Sequence, residues 1–366
     1  MEDRSPAAEQ AEQHTACTPE QIAARGHRKP VNLALQGGGS HGAFGWGVLD
    51  KLLEDDRLAI DAISATSAGA MNAVAMAAGF AEGGRDAARA KLKEFWREVS
   101  RVGMPYGPVH PLPWQKWLAL DDRLNDLTPS YFLFQVLTHT FSPYQLNPLG
   151  LSPLRSILTK VVDFKRIISH PLATRLFINA TNVRTGKIKV FENKDLSADV
   201  VLASACLPYL FHAVEIDGEH YWDGGFMGNP ALFPLIYKGA SRDIIVVHIN
   251  PIVRKDVPTS AHEILDRMNE ITFNSSLMRE MRAIAFVSRL IDERELDSER
   301  YSRMLIHAIR DDEAMSKYGS ASKFSTNWNF LKQLRDAGRA AAAAWLDRHL
   351  DDVGRTTTVD LAEVYL

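Results

Sequence analysis

Two short segments of this sequence carry residues suited to handling a reactive carbonyl. Gly37-Gly38-Gly39 is followed by Ser40-His41-Gly42, and one strand-and-helix step further on stands Ala65-Thr66-Ser67-Ala68-Gly69. Glycines leave backbone N–H groups uncovered, and where a glycine loop opens a helix those amides sit at the positive helix end. Such a loop holds negative charge, either a cofactor pyrophosphate or the oxyanion of an acyl-transfer intermediate. Ser67 sits in a pattern close to G-x-S-x-G, a sharp strand-to-helix turn that pushes a serine oxygen out at the carboxyl end of a sheet. Ala68 and Gly69 supply the small residues the turn needs, while Ala65 stands where the pattern has glycine. Taken alone, Ser67 also reads as a cap of the Ala-rich helix that follows. In a parallel sheet, however, loops one βαβ step apart emerge at the same edge. A serine and an amide cradle then become neighbours, as acyl transfer requires.

A serine nucleophile needs a proton acceptor. None of the downstream histidines stands in an evidently poised loop. Tyr221-Trp222-Asp223-Gly224-Gly225-Phe226 instead puts an acid between a hairpin strand and two glycines, a tight turn that presents one carboxylate. The structural alternative is an Asx turn. The glycine segment also fits G-x-G-x-x-G, so a dinucleotide site has to be weighed. That site wants an acid at the end of the next strand, whereas Asp61 begins it and Ala65-Thr66-Ser67 ends it. No Gly-Lys-Ser/Thr follows, which removes the P-loop reading.

The elements that must position these groups follow from hydrophobic periodicity. Strands are expected over Val31–Gln36, Ile60–Ala65, Leu176–Val183, Lys187–Glu192, Asp243–Ile249 and Met304–Ile309, with a hairpin over Val214–Trp222 turning at Asp217-Gly218. Helices are expected over 42–54, 68–79, 85–100, 153–162, 197–207, 260–297 and 328–350. Strands alternating with helices predict a mostly parallel sheet covered on both faces. The regions divide into a polar leader (1–28), a main α/β domain (29–250) and a mainly helical C-terminal part (251–366) packed on the same domain. Within the main domain, 102–150 is rich in Pro and aromatics, including Tyr106, Trp114, Trp117, Phe134 and Tyr144. It reads either as a helical insertion packed on its own aromatics or as an apolar lid over an acyl-chain channel.

Composition narrows the function classes. The net charge is -3 with no Lys/Arg-rich block, which argues against nucleic acid as a partner. The two cysteines, Cys17 and Cys206, suit a reducing compartment and have no zinc-like spacing. The N-terminus lacks a secretory pattern, and no run of apolar residues is long enough to span a bilayer. The expectation is a cytoplasmic protein whose contact with lipid is peripheral. Oligomeric state is not legible.

On these residues the chain resembles the patatin-like phospholipase family. GGGSHG at 37–42, ATSAG at 65–69 and DGG at 223–225 stand in the family's order. GVLDKL at 47–52, NPLGLSPLRSIL at 147–158 and ASACLPYLF at 203–211 add to the likeness, which covers residues 31–250. The resemblance implies a three-layer α/β/α fold with a central, mostly parallel sheet and a helical insertion. It also implies a Ser–Asp dyad without a catalytic histidine, with Ser67 as nucleophile and Asp223 as general base. Gly37, Gly38 and Gly39, chiefly the last two, become the oxyanion hole. Ser40, His41, Gly42, Ala65, Ala68, Gly69, Gly224 and Gly225 support them. No cofactor or metal is implied, and the substrate is a lipid or other acyl ester cleaved by a phospholipase A, lysophospholipase or broad carboxylesterase activity. Two alternatives share the site: an acyltransferase using the same dyad, and a non-catalytic lipid-binding protein. The second is suggested by Ala65 and by His41, where the family often carries Arg or Lys. A neutral imidazole helps an oxyanion less than a fixed cation, and its charge would change near pH 6–7.

Overall fold

The computed structural model describes residues 26–103, 129–170, 174–254, 256–293 and 303–366. The leader up to residue 25, with Cys17, lies outside the described residues, as do 104–128 of the aromatic segment, with Trp114 and Trp117. Arg28, placed in the leader by sequence, instead pairs with Asp56 (2.7 Å) at the foot of the sheet.

Alternation along the strands sets the architecture. Val31, Leu33 and Leu35 of β1 (Lys29–Leu35) face one side and Ala34 the other. The same division separates Ile63 and Ala65 from Ala62 in β2 (Leu58–Ala65), and Leu176, Ile178 and Ala180 from Phe177 in β3 (Arg175–Asn182). It separates Ile245 and Val247 from Ile244 and Val246 in β7 (Asp243–Val247). Successive side chains point to opposite faces, so a sheet apolar on both must be covered on both. One face packs on the helices Gly42–Asp55, Ala68–Gly103, Pro153–Val161, Ala198–Ser204 and Trp328–His349. The other lies under Phe233–Lys238, the long Ala261–Asp292 helix and Tyr365. This is the expected three-layer α/β/α fold.

The sheet order is β5-β6-β3-β2-β1-β7-β8, with β4 (Ile188–Phe191) also on β3, β5 at Val214–Ile216, β6 at Glu219–Asp223 and β8 at Leu305–Ile309. β3, β2, β1, β7 and β8 run parallel, and the rest pair antiparallel. The C-terminal part therefore completes the main sheet through β8. Its Trp328–His349 helix also meets the Gly42–Asp55 helix backbone to backbone, because a side chain at Gly47 would strike the Arg335 carbonyl and one at Gly338 the Phe44 carbonyl.

One detail of the pairing matters most for the site. Ile178 pairs with Ala65 and Phe191, and Thr181 pairs with Ile188 and Trp222. A strand has two edges, and β4 occupies one throughout. β2 and β6 therefore share the other edge of β3, and their carboxyl ends meet head-on. Ala65 is opposite Ile178 and Asp223 opposite Ala180, leaving only Asn179 between.

Two expected boundaries shift. The helices expected at 68–79 and 85–100 are two helices, as expected, but they lengthen to fill Ala68–Gly103 and meet at a kink where the backbone of Gly83 and Gly84 is not helical. The helix expected over 197–207 ends at Ser204, so Cys206 lies in the turn beyond it. Pro208 disfavours helical backbone at Leu207 and closes the element early.

Candidate active site

Ser67 lies one residue beyond β2, after Thr66, and opens the helix that begins at Ala68. Its φ is +55°, in the left-handed region that non-glycine residues rarely adopt. The turn is tight because three neighbours leave no room. A side chain at Gly69 would strike the Leu35 carbonyl, one at Gly42 would approach Ala68 Cβ at 2.5 Å, and one at Gly37 would approach Ser67 Cβ at 2.5 Å. Ala65 raises no conflict. It is a strand residue with no exposed surface, and its methyl is part of the core.

Asn179 holds the meeting point. Its Nδ2 donates to Ser64 Oγ, Ala65 O and Thr66 Oγ1, each at 3.2 Å, and Thr66 Oγ1 donates to Gly228 O at 2.6 Å. The Ser67 N–H donates to Ser204 Oγ at 2.9 Å. Across the gap, Asp223 N–H donates to Cys206 O at 2.8 Å, and Thr181 Oγ1 donates to Asp223 O at 2.8 Å. Gly224 fits against the Asn179 carbonyl where a larger residue would clash, and a side chain at Gly225 would enter the Phe273 ring.

The Asp223 side chain is 1% exposed. Oδ1 accepts the Gly225 N–H at 2.7 Å, while Oδ2 is buried with no hydrogen bond of good geometry among the described residues. Burial pushes the carboxyl up to about 7, against the Gly225 N–H and the Ser67 hydroxyl, which both favour the carboxylate. The serine hydroxyl is thus near enough to act on the acid, although no hydrogen bond of ordinary geometry joins the two. Cys206 is no competing nucleophile. Burial, with the charge of Asp223, pushes its thiol up to about 12, and Sγ donates to His212 O at 3.0 Å.

The glycine loop passes directly over Ser67 and divides its amides. The Gly37 N–H donates to Asn229 Oδ1 at 2.7 Å, so this residue is not a free donor, contrary to the sequence expectation. Among the described residues, the N–H groups of Gly38 and Gly39 have no partner in the protein, as the first amides of a helix lack intrahelical acceptors. Gly39 has φ +58° and sits against the Lys323 carbonyl. Ser40 and His41 turn inward. His41 is 2% exposed, its Nε2 is 2.7 Å from Ser322 Oγ, and its ring packs near Tyr318 and Phe330. Burial first, then the charges of Lys323 and Arg254, hold its pKa well below 6.5. His41 therefore stays neutral, and the expected change of charge near pH 6–7 does not occur.

Part of the aromatic segment crosses this region. On the Pro129–Thr140 helix, Tyr131 and Phe134 pack on Phe324, next to the glycine loop's neighbour Lys323. At its other end His139 stacks on Tyr209 and, beyond it, Tyr144 stacks on His212. The segment thus rests on aromatics from elsewhere in the chain and not only on its own. Leu133, Val136, Leu137 and Phe141 remain exposed on it. A cavity of about 230 Å³, lined by Leu154, Leu202, Cys206, Phe211 and His212 among others, lies beside the turn that anchors Asp223.

Nothing in this arrangement favours a dinucleotide. Asp61 is taken up by Arg175 (2.6 Å) and the Ala240 N–H (2.9 Å). Among the described residues no three His, Cys, Asp or Glu side chains cluster as metal ligands, and no helix is long and apolar enough to cross a membrane.

Sequence analysis missed Asn179, Ser204, Asn229, Asn250 and Lys323. Asn179 left a signal as a lone amide in the otherwise apolar run Leu176–Ala180, and Ser204 stands within the ASACLPYLF segment at 203–211.

A sequence model of the family described as patatin-like phospholipase matches residues 33–236, more than half of the chain. Among curated proteins no match was found. Among solved structures, VipD from Legionella pneumophila aligns over 85% of this chain and 67% of its own, at 16% identity and a TM-score of 0.35. That likeness is too distant to bear on what the chain does.

Proposed function

Because the chain belongs to the patatin-like phospholipase family, we propose that it is a serine lipid acyl hydrolase working through Ser67 and Asp223. Asp223 takes the Ser67 proton as Oγ attacks the ester carbonyl. The Gly38 and Gly39 N–H groups hold the oxyanion, aided by the positive end of the helix that begins at Ala68. The alcohol or lysolipid leaves, and water activated by the same carboxylate releases the fatty acid. A base whose pKa lies near 7 is matched to neutral pH. The Pro129–Thr140 strap, with its uncharged apolar surface, shapes the acyl side of the site.

The observation that carries this reading is the head-on approach of β2 and β6 along one edge of β3, beside two amides with no other partner among the described residues. It is tested by hydrolysis of a lipid and ester panel together with fluorophosphonate labelling. Ser67→Ala is expected to lose turnover and labelling, and Asp223→Asn to lose about 10³-fold or more in kcat. Full activity in both variants would remove the dyad.

A further inference from the structure

We propose that Lys323 and Asn250 form a polarising relay behind the glycine loop, making the Gly38 N–H a stronger and better-aimed oxyanion donor. The inference rests on the hydrolase reading above. The Gly37 carbonyl and the Gly38 N–H belong to one peptide unit. Asn250 Nδ2 donates to Gly37 O at 2.9 Å, and Lys323 Nζ donates to Asn250 Oδ1 at 3.1 Å. Both bonds draw electron density the same way, from the Gly38 nitrogen toward the lysine. Hydrogen bonds in such a chain strengthen one another in a low-dielectric interior.

The direction of the relay is fixed by chemistry. An ammonium can only donate and a peptide carbonyl can only accept, so the Asn250 amide has one possible orientation. The backbone that carries it is held too, because the Ile249 and Asn250 N–H groups both donate to Gln36 Oε1, at 2.9 and 3.1 Å. Lys323 also acts through its backbone, since its carbonyl is what Gly39 rests against.

The arrangement is costly for a merely structural one. Lys323 is half-buried, and an ammonium held there against a neutral amide costs more than an apolar side chain would. Burial lowers the Lys323 pKa, Glu270 and Asp266 resist that, and Arg254 adds to it. Neither Lys323 nor Asn250 reaches the reacting atoms through the relay, so both are positioning residues.

The test measures kcat and KM on p-nitrophenyl butyrate, with thermal midpoints, for wild type, Lys323→Met, Lys323→Arg, Asn250→Ala and the double variant Lys323→Met/Asn250→Ala. Lys323→Met is expected to lose about tenfold in kcat with KM held, less than the loss of a direct donor. Lys323→Arg recovers most of that rate. The double variant is no slower than the worse single, as members of one relay should be. A folded Lys323→Met with wild-type kcat overturns the proposal. If Lys323→Met does not fold, Asn250→Ala decides: a lower kcat at unchanged KM supports the relay, and an unchanged kcat overturns it. Ser67→Ala separates the two levels. Turnover that survives it overturns the hydrolase reading, and turnover that needs Ser67 but ignores Lys323 and Asn250 overturns only the relay.

Discussion

Replacing Asp223 by Asn should make the protein more stable above neutral pH while abolishing its activity. The carboxyl releases its proton near 3.8 in the unfolded chain and near about 7 in the folded one, because burial disfavours the charge. Between those values the folded chain keeps a proton that the unfolded chain has lost. The stability linked to this group is therefore full below about 3.8 and lost as pH rises through about 7. The span corresponds to about 4 kcal/mol, an upper bound because water and relaxation near the site reduce it. Asn titrates in neither state and can still accept the Gly225 N–H through Oδ1. The value near 7 already includes that bond, so the gain is at most about 4 kcal/mol at pH 8 and about 1.5 kcal/mol at pH 5, where the unfolded carboxyl has ionised and the folded one has not. Denaturant unfolding of both proteins at the two pH values measures the difference. An advantage of equal size at both, or a less stable Asp223→Asn at pH 8, would refute the buried-acid reasoning. The same carboxyl should give wild-type kcat/KM a limb that rises with pH around 7.

Two further outcomes follow from the loop. Gly39→Ala places a methyl 2.5 Å from the Lys323 carbonyl at φ +58°. It should cost about 1–2 kcal/mol from the left-handed backbone alone, and about 100-fold in kcat through the displaced amide. Kinetics and a thermal melt check both, and undiminished kcat would show that the Gly39 N–H is not used. His41→Gln keeps a neutral, hydrogen-bonding group beside Ser322, so its pH–rate profile should overlay that of wild type. A limb present in wild type and missing from His41→Gln would mean that the imidazole titrates in the working range after all.

What sequence revealed about the site was local, and what it hid was not. Gly37, Gly39, Gly69 and Gly225 are legible because tight approach or positive φ excludes other residues at those points. Ser67 and Asp223 are legible because such glycines flank them. The alternating faces of β1, β2 and β3 gave the layers for the same reason, since each strand declares its own two sides. Asn179, Asn229, Asn250 and Lys323 come from distant parts of the chain, and a polar residue in sequence announces a partner without saying which. The Gly37 amide illustrates this, because only the fold brings Asn229 to it and takes it out of the oxyanion set. His41 was misjudged likewise. Its neutrality comes from burial against a segment near Ser322, which no local pattern near residue 41 could anticipate.

Since β2 and β6 abut on one edge of β3, β3 works as a ruler between the proposed nucleophile and its proposed base. Slipping the β5–β6 hairpin by two residues along it would carry Asp223 about 7 Å from its present position. The facing side chains would still alternate correctly, so the sheet would tolerate an error that the chemistry would not. Changes of length are thus expected to be admissible at the Asp217-Gly218 turn, on the far tip of the hairpin, and forbidden inside Arg175–Asn182.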